Sequence, residues 1–201
     1  MADLRVLIAV RPVEDGKSRL ASVLPADKRS ILNQRLFDHV CEIGLSFLPA
    51  ASIMIVSRSP ALLEQSRAKG MVAVAEEGQG LNEALEQGAA AAASQAHGPL
   101  LALATDLPGL EHGDLAAMVE AARTADIVIA PDHAGRGTNA LLMARPHAIP
   151  FRYGPGSLAA HISAAREAGL AHVLVERPGL ALDVDTAEDL SRLQWADIVT
   201  P

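Results

Sequence analysis

Aromatic side chains make up only 2% of this 201-residue sequence, so its core has to be built from alanine, leucine, valine and isoleucine. A single cysteine, Cys41, excludes an internal disulfide and a cysteine-based zinc site. Its place in a helical apolar pattern reads as plain packing. Lysine is scarce too: Lys17, Lys28 and Lys69 are three of the 17 basic residues, the other 14 being arginine, and the net charge is −7. That balance argues against a broad nucleic-acid surface. Long apolar runs are missing as well. The stretch from Gly88 to Ala93 is alanine-rich and far too short to span a bilayer. No basic leader with an apolar stretch opens the sequence, because residues 4–10 read as a core strand. The expectation is a soluble, cytoplasmic protein that meets neither nucleic acid nor membrane.

What is present is a globular composition, 50% hydrophobic and 20% charged. Strand-like and helix-like segments alternate throughout. Leu4 to Val10 is a nearly continuous apolar run, as in a strand buried on both faces. After a polar loop, Pro25-Ala26-Asp27 starts a long helix with Leu32, Leu36, Val40, Ile43 and Phe47 at helical spacing. Further strands are expected at 53–56, 71–75, 100–104, 127–130, 140–143 and 172–176. Helices are expected at 61–69, 81–96, 114–123, 157–168 and 186–194. Such alternation predicts an α/β fold with a mostly parallel sheet flanked by helices on both faces. The Gly135-Arg136-Gly137 turn adds a late antiparallel excursion, which makes the sheet mixed. With no repeat, linker or break in composition, residues 1–201 read as one domain.

Two aspartate-bearing turns follow strand-like runs. Asp106 lies in Ala104-Thr105-Asp106-Leu107-Pro108, and Asp183 and Asp185 lie in Leu182-Asp183-Val184-Asp185-Thr186. Ligands collect at the carboxyl ends of strands in parallel α/β sheets, so these turns are placed to meet. Three carboxylates there form a hard oxygen site suited to Mg²⁺ and phosphate chemistry. Each turn taken singly also fits an ordinary turn or helix cap.

The first loop, Arg11 to Leu20, contains Gly16-Lys17-Ser18. A Walker A motif would need glycine where Arg11 stands, and a long helix where Pro25 interrupts. What remains is a cationic loop carrying Arg11, Lys17 and Arg19, fit to clamp a triphosphate or else simply solvated. After the third strand, Gly78 to Asn82 offers Gly80 and Asn82 to a base or ribose; the same residues also suit a turn and a cap. Gly137-Thr138-Asn139 presents amides and a hydroxyl together, as anion sites do. Gly154-Pro155-Gly156-Ser157 leads into a helix, a ready phosphate cradle, with His161 on the face of Ser157. Arg136, Arg152 and Tyr153 are the long polar residues nearest that cradle in sequence.

Taken in order, several motifs resemble one family. They are Gly16-Lys17-Ser18-Arg19-Leu20, Gly80-Leu81-Asn82-Glu83-Ala84-Leu85, Asp106-Leu107-Pro108, Pro131-Asp132 with Gly137-Thr138-Asn139-Ala140-Leu141, Gly156-Ser157 with His161, and Asp183-Val184-Asp185-Thr186 with Glu188-Asp189-Leu190. Together they resemble the CofC/FbiD guanylyltransferases, which serve biosynthesis of the deazaflavin redox coenzyme. The resemblance implies a Rossmann-like, GT-A-like nucleotidyltransferase fold, similar to that of molybdenum-cofactor guanylyltransferases. It also implies Mg²⁺ held by Asp106, Asp183 and Asp185, and a substrate phosphate gripped by Thr138, Gly154 and Ser157. Asn139, Gly156 and His161 are carried over as neighbours of that pocket. Thr105 and Glu14-Asp15 depart from the family pattern and bear on substrate preference.

The reaction expected is transfer of GMP from GTP to a small phosphorylated carboxylic acid: 2-phospho-L-lactate, phosphoenolpyruvate or 3-phospho-D-glycerate. Lys17 and Arg19 are expected to hold the triphosphate, with Asp106 catalytic and a homodimer as the candidate assembly. Alternatives are a molybdopterin or sugar-phosphate nucleotidyltransferase, whose glycine-rich first loop this sequence lacks, or a non-catalytic GTP-binding module.

Overall fold

The apolar run at the start of the chain folds as strand β1 (Arg5–Ala9), with its three central residues fully buried. A computed structural model describes residues 3–78, 80–95 and 98–192. Helix α1 (Ala26–Phe47) follows the first loop and buries the stripe Leu32, Leu36, Phe37, Val40 and Cys41. Next come β2 (Ile53–Ser57), α2 (Pro60–Ala68), β3 (Val72–Ala75) and α3 (Leu81–Gln95). Ser59 caps α2 through its side chain and Pro60 opens the first turn, as the missing N–H there allows. Strand β4 (Leu100–Leu103), α4 (His112–Ala121), β5 (Ile127–Pro131), β6 (Thr138–Met143) and α5 (Ser157–Glu167) continue the alternation. The chain then forms β7 (His172–Leu174), a short helix α6 (Pro178–Ala181) and α7 (Ala187–Arg192).

The expected alternation is therefore present, with α6 as an addition. The predicted ends of α3 at Ala96 and of α7 at Gln194 lie outside the described residues.

Among the described residues seven strands lie in the order β3-β2-β1-β4-β6-β5-β7. Among the described residues β6 alone runs against the rest, pairing antiparallel with both β4 and β5. The connection from β1 leads to β2 on one side, and β4 returns to pair on its other side. That reversal opens a crevice at the carboxyl ends of β1 and β4, where ligands bind in such sheets. Because β6 is reversed, its first residues, Thr138 and Asn139, arrive at the same edge.

Apolar side chains cover both faces. Phe37, Val40, Leu62, Leu115 and Leu180 from α1, α2, α4 and α6 pack one face, and Ala84, Leu85, Ala89, Ala92, Ala164 and Ala165 from α3 and α5 the other. The small residues on the second face let helices approach closely. A Cβ at Gly88 would collide with Leu7 and Val56, so α3 sits at a distance that only glycine permits.

Candidate active site

Strand β1 delivers the first loop to the carboxyl edge of the sheet, and α1 holds it there. Asn33 donates from Nδ2 to the Val13 carbonyl at 2.6 Å, and Leu20 is buried with Leu32, Leu36 and Val184. The loop is thus anchored rather than simply solvated. Lys17 adopts the left-handed backbone conformation at φ 57°, uncommon for a residue with a side chain and found where surrounding structure imposes it. Its ammonium donates to Asp106 Oδ2 at 2.6 Å and to Asp185 Oδ1 at 3.1 Å, with the side chain only 9% exposed. Burial alone would depress this lysine; the two carboxylates outweigh it and hold the group above its ordinary value. Arg19, largely exposed, reaches Asp185 Oδ2 at 3.4 Å.

The two aspartate turns meet, although only Asp106 follows a strand, β4; the strand-like run expected before Asp183 and Asp185 is helix α6, which carries them to the same edge. Val184 N–H donates to the Asp106 carbonyl at 3.2 Å, joining them through the backbone. One carboxylate oxygen from each of Asp106, Asp183 and Asp185 can be chosen so that all lie within 4.8 Å of one another. Asp183 is held above the ordinary carboxylate range by burial and then by the Asp106 charge, although an Asn139 hydrogen bond at 3.4 Å opposes this. Asp185 is placed by its own N–H, which donates to Asp189 Oδ2 at 3.2 Å, while the Thr186 N–H and hydroxyl donate to the same oxygen at 2.8 Å. Crowded carboxylates that recruit a lysine ammonium form a site short of positive charge. Their hard oxygen donors fit Mg²⁺.

These residues border a cavity of about 770 Å³, within the size range of small-ligand sites. It runs from Arg58 and Glu76, after β2 and β3, past Lys17 and Asp106 to Thr138 and Tyr153. The Glu76 carboxylate is nearly buried and lies 3.5 Å from Arg58.

The family described as "Guanylyl transferase CofC like" matches residues 4–195. The chain belongs to this family. It is 41% identical over 189 residues to a phosphoenolpyruvate guanylyltransferase of Rubrobacter xylanophilus, covering 94% of this chain and 92% of that protein. It is 33% identical to a 2-phospho-L-lactate guanylyltransferase of Methanothermobacter thermautotrophicus, covering 93% and 82%. A solved nucleotidyl transferase from Methanothermobacter superposes with a TM-score of 0.61 at 17% identity, covering 94% of each chain, and so shares the fold. The protein is a nucleotidyltransferase enzyme of the CofC-like type.

The other residues singled out in this CofC-like chain fall into two groups. Arg11, Gly80, Thr138 and Asn139 line the cavity with the residues above. Asn82, Gly154, Gly156 and Ser157 are not among its lining residues. Asn82 spends its amide on Tyr153, donating to the carbonyl at 3.0 Å and accepting from the N–H at 2.8 Å. Asn139 likewise donates to the Leu180 and Ala181 carbonyls at 2.9 and 3.3 Å, tying α6 to the start of β6. Gly154 and Gly156 take positive φ values of 137° and 75° in the turn before α5, and Ser157 is buried at its first position. Thr138 Oγ1 lies 3.0 Å from His161 Nδ1, and the Arg152 N–H donates to His161 Nε2 at 3.0 Å.

Sequence reasoning passed over Arg58 and Asn33, both cavity residues. Arg58 directly follows β2, so the strand-end rule that flagged Asp106 would have found it. Asn33 sits in mid-helix and gives no local signal.

Proposed function

We propose that this enzyme transfers GMP from GTP to the phosphate of a three-carbon phospho-acid and releases pyrophosphate, with Mg²⁺ as cofactor, in deazaflavin coenzyme biosynthesis in the cytoplasm. The observation that carries the reading is the cluster of Asp106, Asp183 and Asp185, with the Lys17 ammonium on Asp106 and Asp185, along a cavity with polar groups at both ends. Arg58, Glu76 and Gly80 offer hydrogen-bonding groups for the base and ribose on the β2–β3 side. Lys17 and Arg19 neutralise the triphosphate, and Arg11 adds charge at the mouth. Thr138 stands on the β4–β6 side, where the acceptor enters.

In the reaction, an acceptor phosphate oxygen forms a bond to the α-phosphorus while the bond from that phosphorus to the α–β bridging oxygen breaks. The pair of electrons leaves with pyrophosphate. The attacking oxygen is already anionic, so no side chain has to remove a proton. The chain's work is to align two anions and to neutralise charge at the α-phosphate. Asp106, Asp183 and Asp185 would hold Mg²⁺, which when bound supplies Lewis-acid polarisation of phosphate oxygens and a template for both substrates.

Phosphoenolpyruvate is the first acceptor to try, because it names the Rubrobacter relative; 2-phospho-L-lactate names the other. The third candidate, 3-phospho-D-glycerate, sets its phosphate one carbon further from the carboxylate and adds a hydroxyl that needs a partner. The test is pyrophosphate release with GTP, Mg²⁺ and each acceptor in turn. Release with at least one is expected. GTP binding without release for any of the three would make the protein a non-catalytic GTP-binding module.

A further inference from the structure

We propose that His161 is a positioning residue for the acceptor: locked in one neutral tautomer, it makes the Thr138 hydroxyl donate its own proton into the cavity. This rests on the reading of Thr138 as the acceptor-side residue. His161 lies on α5 and is fully buried. Its two ring nitrogens have different partners. The backbone N–H of Arg152 can only donate, so Nε2, 3.0 Å away, must present a lone pair.

Burial, with the nearby Arg152 charge adding to it, pushes the imidazole down to about 4, so the ring is neutral near pH 7. A neutral ring has one N–H, and with Nε2 accepting it must be at Nδ1. That N–H faces Thr138 Oγ1 at 3.0 Å, which therefore accepts. A hydroxyl that accepts from one side keeps its own hydrogen free to turn elsewhere, and Thr138 lines the cavity. The uncommitted proton is thus directed to the place where the reaction brings an anionic oxygen. Were the ring to carry its proton on Nε2, it would clash with the Arg152 N–H and draw the Thr138 hydrogen inward, away from the substrate.

The same ring also fixes the wall of the pocket. Tyr153 packs edge-on to His161 at a centroid distance of 5.0 Å, and the Tyr153 backbone is paired in both directions with Asn82. A buried histidine that merely satisfies its own nitrogens would share these contacts, so the test has to separate aiming from packing.

The free protein tests the first link without turnover. A long-range ¹H–¹⁵N spectrum of the histidine rings at pH 7 should contain one neutral ring protonated at Nδ1 that disappears in His161→Asn. If the signal lost in that variant belongs to a ring protonated at Nε2, or at both nitrogens, the proposal is overturned.

Turnover tests the second link. His161→Asn keeps an N–H donor close to the place of Nδ1, whereas His161→Gln keeps an acceptor close to the place of Nε2 and loses the donor to Thr138. A hydrogen bond to a charged group contributes about 1.5–3 kcal/mol, so His161→Gln should raise the acceptor KM roughly 10- to 100-fold and leave the GTP KM unchanged. His161→Asn should rescue most of that loss. Equal damage from both variants, or a GTP KM that rises in step, would make His161 a packing residue only. A wild-type enzyme inert towards every acceptor would refute the reaction instead, a failure that the ring spectrum does not share.

Discussion

Replacing Lys17 by methionine removes one charge and little volume, and the structure indicates how much should change. Lys17 contacts two of three carboxylates whose oxygens lie within 4.8 Å of one another. At an effective dielectric constant near 20, two unit charges at that separation repel by roughly 3.5 kcal/mol. Asp185 is 43% exposed and Asp106 24%, so water screens much of this and the carboxylates relax apart. A net loss of about 2 kcal/mol is expected for the free protein, which for a chain of this size lowers Tm by roughly 4–8 °C. Saturating Mg²⁺ should close most of that gap, because a divalent cation restores the charge that was removed. Turnover should fall by roughly 100-fold or more, the scale of losing one well-placed electrostatic contact in a transition state. Lys69→Met is the control. Its ammonium lies 3.4 Å from Asp38 with both side chains about one-third exposed, so the change should matter by at most about 1 kcal/mol and spare turnover. Thermal melts with and without Mg²⁺, together with pyrophosphate release, read all of this. Equal small effects from both lysines, or a melting gap that ignores Mg²⁺, would refute the reasoning.

Asp183→Asn should lower turnover by roughly 100-fold or more without lowering Tm, since it relieves like-charge crowding; near-normal pyrophosphate release would remove Asp183 from the site. Ser157→Ala should reduce activity with every acceptor, whereas Arg152→Ala should change the ranking of acceptors; full activity of Ser157→Ala on all three would sink the cradle. For His161, burial and then Arg152 push the ring down to about 4, against an ordinary value near 6.5. The unfolded chain then binds more protons between those values, so the stabilising contribution is complete above about pH 6.5 and is lost as pH falls towards 4. The stability advantage of wild type over His161→Gln should shrink by about 3 kcal/mol across that window in denaturant titrations, and a constant difference would contradict it.

The strands were legible because buried parallel strands are written as short unbroken apolar runs, such as Ile53 to Val56 and Leu100 to Leu103. The place of Asp106 was legible too, through the rule that ligands collect at strand ends, whereas Asp183 and Asp185 reach it from a helix and not from the strand that was expected. Helix α6 was not legible. Four residues that include Pro178 and Gly179 carry no periodicity, and what shapes them is tertiary: Arg177 donates to Asp114 at 2.9 Å, and a Cβ at Gly179 would strike the Asp114 carboxylate and the Gly109 carbonyl. The bonds made by Asn82 and Asn139 escaped for a similar reason. Their partners are backbone groups 71 and 41 positions away, and nothing local announces such a pairing. The left-handed turn at Lys17 was hidden because the residue is not glycine, although glycine stands beside it.

Folding has to reach across most of the chain before the charge cluster exists. Lys17 and Asp106 are 89 positions apart, and Lys17 and Asp185 are 168 apart. By contrast, β1, β2 and β3 pair in sequence order, so their partners lie closer along the chain. The segment carrying Asp183 and Asp185 crosses back from β7 at the edge of the sheet. It is riveted by His133 N–H to Ala181, by Asn139 to Leu180 and Ala181, and by Val184 N–H to Asp106. Buried Leu180 and Val184 pin the same segment to the core, so packing and hydrogen bonds fasten it together. A cation bound among the three carboxylates would therefore work as a noncovalent cross-link between distant segments. Such a cation is expected to slow unfolding, and the rate of unfolding with and without Mg²⁺ measures it.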